Sequence, residues 1–241
     1  MIIPTYLEYM KTKKSDFPCL NCLIDTEERI NYNDFENRGA GDKLWYANYV
    51  KESRELRRIL QIYKPKKILE IGTGNGRVIQ TALEVLPDSR IIAVEKNEKM
   101  FNYSRHRFFG DKRVSVVKQN ISYFLSKTKK FDMALCMMNT FGNINDSVIF
   151  QSIANQVKFF VFSVYNRKFD KKRKIMYEAR GHEDFCLTKN QYCFRDYWIN
   201  GLVSRSYTRE EIIELAHKSS MDILELKPLN LLYFVVLKRK K

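Results

Sequence analysis

The chain has 241 residues, of which 44% are hydrophobic, enough to bury a core without external staples as one large domain or two small ones. Its five cysteines, Cys19, Cys22, Cys136, Cys186 and Cys193, are an odd number that argues against a disulfide framework and for a reducing, cytoplasmic setting. The first ten residues lack the basic and apolar regions of a secretory leader, and no stretch approaches the roughly 18 apolar residues of a membrane helix, so a soluble protein without a membrane partner is expected. Forty-three Lys and Arg against 28 Asp and Glu leave a net charge of +15. Such a field suits an anionic partner such as RNA, but the charge is spread along the whole chain, as biased composition alone also produces. The densest runs, Arg167 to Lys174 and Lys238 to Lys241, read as solvated surface.

Residues 1–40 show weak periodicity and read as a cover segment ahead of a domain over 41–241, which opens with a helical stretch from Gly41 to Tyr63. From Lys66 onward short β-rich runs alternate with helical stretches, the signature of βαβ units and a parallel sheet. Strand one is Lys66 to Gly72, followed by a helix from Asn75 to Leu86; strand two is Arg90 to Glu95, followed by a helix from Asn97 to Phe108. Strand three is Val114 to Lys118, then a short helical turn from Ser122 to Ser126, and strand four runs from Phe131 to Asn139. These strands are near-continuous apolar runs, as expected of a sheet covered on both faces. A helix from Asp146 to Gln156 leads into a long strand five, Val157 to Tyr165. The rhythm then changes. Between Met176 and Tyr207 aromatic and β-branched residues interleave with polar ones, which predicts antiparallel strands joined by a turn at Thr188 to Gln191, within an insertion over about 168–206. Thr208 with Glu211 three residues on predicts a capping box opening a helix to about Ser219. Two final strands follow, near Asp222 to Leu226 and Leu231 to Leu237.

The segment LEIGTGNGR carries the chemistry. An apolar strand runs into Gly72, Gly74 and Gly76 and then into a helix; glycines suit a backbone that must turn tightly and let a ligand approach its amides. Glu70 precedes the turn, and Glu95 ends strand two 19 residues after Gly76, where a carboxylate can accept hydrogen bonds from ribose hydroxyls. A nicotinamide fingerprint would need its third glycine at position 77, which is Arg. At these residues the chain resembles the class I S-adenosylmethionine (SAM)-dependent methyltransferases, whose first motif reads acidic-x-G-x-G-x-G, and the resemblance continues from about Gly41 to Leu237. It implies an α/β fold with a Rossmann-like seven-stranded, mostly parallel sheet, helices on both faces and the antiparallel insertion after strand five. It also implies SAM as the cofactor. Glu70, Gly72, Thr73, Gly74, Asn75 and Gly76 would then hold its methionine part, Glu95 its ribose, and Lys96 with Asn97 would edge the adenine pocket. Asn120 and Ile121 stand where the family usually has Asp and an apolar residue beside the adenine. Asn139 and Thr140, ending strand four, are placed for the amino-acid end of SAM and Asn143 for the acceptor. No N/D-P-P-Y tetrapeptide stands there, which disfavours the methyltransferases that use it on DNA bases or protein amides.

Other signals are weaker. Cys19 and Cys22 form a C-x-x-C without the second pair that zinc needs, so no metal is expected. Of the three histidines, His106 and His217 read as surface, and His182, in the insertion, is a candidate general base together with Tyr165. Tyr165 and Trp198 are candidate acceptor-pocket walls beside Asn143, since a sulfonium is favoured beside aromatic faces. Methyl transfer from SAM is a direct displacement that asks chiefly for alignment. The expected function is therefore methyl transfer to an N or O atom of a small molecule. The alternatives are an RNA-directed methyltransferase, which the charge favours, and a SAM-binding interaction subunit. Oligomeric state is left open by the sequence.

Overall fold

A computed structural model of the chain describes residues 40–127, 130–144, 146–179, 185–188, 191–194 and 203–240. In chain order the elements are α1 (Ala40–Tyr63), β1 (Lys67–Ile71), α2 (Arg77–Val85), β2 (Arg90–Glu95), α3 (Glu98–Arg107), β3 (Val114–Lys118), α4 (Ile121–Lys127), β4 (Phe131–Cys136), α5 (Thr140–Ile144), α6 (Ser147–Gln156) and β5 (Val157–Asn166). A 3₁₀ turn (Arg167–Phe169) then leads to α7 (Asp170–Ala179), β6 (Phe185–Thr188), β7 (Gln191–Phe194), β8 (Val203–Tyr207), α8 (Arg209–Lys218), β9 (Met221–Leu229) and β10 (Leu232–Arg239).

The sheet runs β3-β2-β1-β4-β5, with β10 paired to β5 and β9 to β10. Strands β1 to β5 are parallel neighbours, and β10 lies antiparallel along β5, from Leu232 opposite Tyr165 to Lys238 opposite Phe159. These seven strands are the mostly parallel sheet expected from the sequence. Helices α1 and α2 pack on one face, in a core with Leu56, Ile59, Leu60, Ile79 and Phe234. Helices α4, α5, α6 and α8 pack on the other with Phe124, Phe141, Phe150, Phe160, Phe162 and Ile212. Covering both faces makes β4 and β5 largely apolar, and Cys136 is one of their fully buried positions. Local chemistry sets the helix starts: Asn97 caps α3 by accepting from the amides of Lys99 and Met100, Asp146 caps α6, and Thr208 with Glu211 forms the expected capping box of α8.

The structure differs from the sequence reading after β4 and β5. Strand β4 ends at Cys136 rather than Asn139, because Met138 and Asn139 turn through left-handed backbone with φ of 49° and 63°. Met176 and Tyr177, read as strand, lie in α7, and only beyond it does the antiparallel meander β6-β7-β8 begin. Its hairpin turn falls where expected, at Thr188 and Gln191. β8 then joins the parallel sheet through Ser206 and Tyr207, opposite Tyr165 and Asn166 at the end of β5. This places the meander at the carboxyl end of the sheet. The run Arg167 to Lys174 is also not uniformly solvated, since Arg173 is 1% exposed. Its guanidinium is taken up by tyrosine rings that sequence spacing alone does not bring together. No described helix is long and apolar enough to cross a membrane.

Candidate active site

The turn after β1 is shaped by its glycines. Gly72 has φ +72°, and a Cβ there would lie 2.4 Å from Thr140 Cγ2. This position therefore needs glycine both for its left-handed backbone and for the close passage of the chain leaving β4. At Gly74 a Cβ would meet nothing within 4 Å, so open space borders the turn there. Gly76 works differently: it packs under the Phe108 ring and opens α2, which makes it a packing position rather than part of the cavity wall.

A cavity of about 330 Å³ lies beyond the carboxyl ends of β1, β2 and β3, lined by Ile71, Gly72, Gly74, Val94, Glu95, Lys96, Gln119, Asn120, Ile121, Thr140, Asn143, Ile144 and Ile149. Open α/β sheets bind ligands at this end. Of the residues singled out in the sequence, Gly72, Gly74, Glu95, Lys96, Asn120, Ile121, Thr140 and Asn143 are brought together here. Glu95 accepts from the Gly74 amide (3.0 Å) through one oxygen and from the Asn97 amide (2.8 Å) through the other. A carboxylate has about four lone-pair sites, so two vicinal hydroxyls can still be received. The cavity's apolar lining (Ile71, Val94, Ile121, Ile144 and Ile149) suits a flat heteroaromatic ring. Carboxylate, side-chain-free glycine backbone and apolar slot together fit a SAM molecule.

The remaining candidates have other duties. Asn120 Oδ1 accepts from the Ser122 amide (3.0 Å) and hydroxyl (2.9 Å), so this oxygen caps α4. Asn75 Oδ1 accepts from the Arg77 amide (3.2 Å). Asn139 is buried; its side chain receives the Tyr165 amide (3.0 Å) and donates to Ser204 Oγ (2.9 Å), tying β4, β5 and β8 together. The Tyr165 ring lies outside the cavity lining, against Arg173 and Tyr177. His182 and Trp198, like Cys19 and Cys22, fall outside the described residues. Among the described residues no group of three or more His, Cys, Asp or Glu gathers to hold a metal.

Glu70 lies beneath the turn, 2% exposed, and accepts a hydrogen bond from Thr73 Oγ1 (2.7 Å). Burial pushes its carboxyl up to about 8, opposed by the Thr73 hydroxyl and by Arg77, while nearby Glu95 pushes it further up.

The sequence did not reveal Ile71, Val94, Gln119, Ile144 and Ile149 in the lining, although Gln119 directly follows strand three, where a ligand contact is common. Nor did it reveal Glu52. This α1 carboxylate is fully buried; it pairs with Arg77 at the start of α2, receives the Ser163 hydroxyl of β5, and accepts from the Met138 amide (2.9 Å) in the turn after β4. Arg77 also donates to Ser53 Oγ (2.9 Å) and stacks on the Tyr49 ring (4.7 Å). A glutamate inside one amphipathic helix has no sequence signal for three distant partners.

Two consequences are testable. Glu52→Ala leaves the buried Arg77 charge without its carboxylate partner, and should cost about 3–5 kcal/mol in urea unfolding. For Glu70, the folded chain keeps a proton between the usual carboxyl range and about 8 that the unfolded chain has released. Stability therefore falls as pH rises through that window and levels off above it. Glu70→Gln should remove this slope, measured as unfolding midpoints of both proteins from about pH 5 to about pH 9.

With this geometry in place, comparison with known proteins is informative. Residues 68–158 match the family described as a methyltransferase domain. The putative methyltransferase 235L of Invertebrate iridescent virus 6 is 25% identical over 101 residues, 41% of this chain and 36% of that protein. The chain's matches span 36% and 44% of the lengths of two curated relatives. Among solved structures, a SAM-dependent methyltransferase from Clostridium acetobutylicum ATCC 824 superposes with a TM-score of 0.60 at 17% identity, covering 87% of this chain and 99% of that one. The N-terminal domain of EvdMO1, crystallised in the presence of S-adenosylhomocysteine (SAH) and D-fucose, gives 0.57 at 14% identity, covering 79% and 83%. Residues 68–158 thus match a methyltransferase domain, and the chain has the class I, Rossmann-like fold of the SAM-dependent methyltransferases.

Proposed function

We propose that the chain is an enzyme that transfers the methyl group of SAM to an N or O atom of a small molecule. The observation that carries this reading is the cavity in which the Gly72 and Gly74 backbone, the Glu95 carboxylate and the apolar lining face one space. When bound, SAM supplies a methyl group already activated on a sulfonium sulfur. The chain's own residues then have three tasks: Glu95 orients the ribose, Ile121 and Ile149 enclose the base, and the Met138-Asn139 turn sets Thr140 and Asn143 at the acceptor side. Alignment with exclusion of water suffices for a displacement of this kind. The small-acceptor reading is supported by the attachment of the meander β6-β7-β8 to the end of β5, at the carboxyl end of the sheet. His182, Tyr165 and Trp198 are proposed to serve the acceptor, His182 as general base.

The RNA reading retains one observation. Phe109 is 78% exposed at the rim of a groove of about 290 Å³ that also contains Arg105 and Lys112, an aromatic platform between cations.

Calorimetry decides both points. SAH should bind the purified chain, and Glu95→Ala should weaken it roughly 10- to 150-fold, the loss of about 1.5–3 kcal/mol for hydrogen bonds to a charged group. Absence of SAH binding would overturn the proposal. In a salt titration, single-stranded RNA should bind no more tightly than background at low salt; a steep salt-dependent affinity, lost in Phe109→Ala, would favour the RNA reading instead.

A further inference from the structure

Among the described residues Arg173 is the largest side chain buried almost completely, and it is incompletely satisfied. Its Nη2 donates to the Ser204 carbonyl (3.1 Å), but Nε and Nη1 have no hydrogen-bond partner. Asp170 Oδ1 is ion-paired with Nη1 at 3.5 Å, beyond a good charged hydrogen bond, and accepts no hydrogen bond. Three tyrosine rings wall the guanidinium: Tyr192 at 4.6 Å, Tyr165 at 5.0 Å and Tyr177 at 5.9 Å. Buried donors left open in this way call for a ligand or an ordered water. Two open donors on a cation, against one open acceptor, call for a group rich in acceptor oxygens.

The cage adjoins the cofactor cavity. Ser204, whose carbonyl receives Arg173, has its hydroxyl bound by Asn139 Nδ2 (2.9 Å) and by the Tyr177 hydroxyl (2.8 Å). Asn139 precedes Thr140, which lines the cavity. The tyrosine cage is thus linked to the cavity-lining Thr140 through Ser204 and Asn139.

We propose that Arg173 is the receptor for an anionic group, a carboxylate or a phosphate, carried by the methyl acceptor, and that Tyr165, Tyr177 and Tyr192 form the wall against which the acceptor's body packs. This rests on the function proposed above and narrows its substrate class to acidic molecules. Guanidinium matches both anions with paired, charged hydrogen bonds, and burial strengthens them. Asp170, ion-paired with the same cation, competes with an anionic ligand for it. Access requires the meander to lift from α7. It is held there by the Tyr192 hydroxyl on the Asp170 carbonyl (3.0 Å) and the Ser206 hydroxyl on Asp170 Oδ2 (3.0 Å).

The test titrates benzoate, inorganic phosphate and the neutral benzamide separately into the full chain, with and without SAH. Benzoate or phosphate should bind the wild type, the first identifying a carboxylic acceptor and the second a phosphorylated one, and benzamide should give no heat. Arg173→Met should weaken the binding at least tenfold while SAH affinity is kept, and Asp170→Asn should tighten it at least threefold. The proposal is overturned if neither anion binds, which would leave water alone in the gap, or if benzamide binds as benzoate does. It is also overturned if Arg173→Met keeps the wild-type affinity or if Asp170→Asn does not tighten it. Should Arg173→Met not fold, Asp170→Asn decides. Failure of SAH to bind would sink the methyltransferase reading, whereas the titrations without SAH test the anion site separately.

Discussion

The buried carboxylate of Glu52 joins α1 to the three parts of the chain that make the site. One oxygen meets Arg77, at the start of the helix that follows the glycine turn; the other meets the Met138 amide and the Ser163 hydroxyl at the ends of β4 and β5. A charge buried this deeply is tolerable only when every lone pair finds a donor. That requirement fixes the relative positions of α1, α2 and the strand ends. It also holds the left-handed backbone of Met138 and Asn139, a conformation that persists at functional sites only where surrounding contacts determine it. Thr140 can then pass within contact of Gly72, and the cofactor cavity acquires its floor.

Polar groups at this end of the sheet divide into those that shape the cavity and those that face it. Asn139, Asn75 and Glu70 have the residue types expected of ligand contacts, yet their oxygens are engaged by the Tyr165 amide, the Arg77 amide and the Thr73 hydroxyl. Glu95, Lys96, Asn143 and the glycine backbone remain at the cavity wall. The apolar slot comes from elements far apart in the chain, Ile71 at the end of β1 and Ile149 in α6. Their meeting depends on which face of the sheet each helix covers.

On the acceptor side the protein keeps polar chemistry inside an aromatic cluster. Tyr165, Tyr177 and Tyr192 come from β5, α7 and β7, and they converge on a guanidinium that contributes both cation–π attraction and open donors. Asn139, through Ser204, connects this cluster to the turn that precedes Thr140.

Much of this architecture is legible from local pattern. Apolar runs separated by helical spacing announce a parallel sheet, because strands covered on both faces must be apolar throughout. The glycine turn, Glu95 and the Thr208-Glu211 capping box announce themselves because each works through neighbours close in sequence. What the sequence left undetermined depends on distant partners. The early end of β4 follows from contacts of Met138 with Glu52, 86 residues away. The burial of Arg173, in a lysine-rich run that reads as solvated surface, follows from tyrosines on two strands and a helix. Hydrophobic periodicity records which face of an element is covered, and short motifs record a local backbone geometry. Neither records which buried charges will meet, so the Glu52 network and the Arg173 cage were decided only when the sheet brought their partners together.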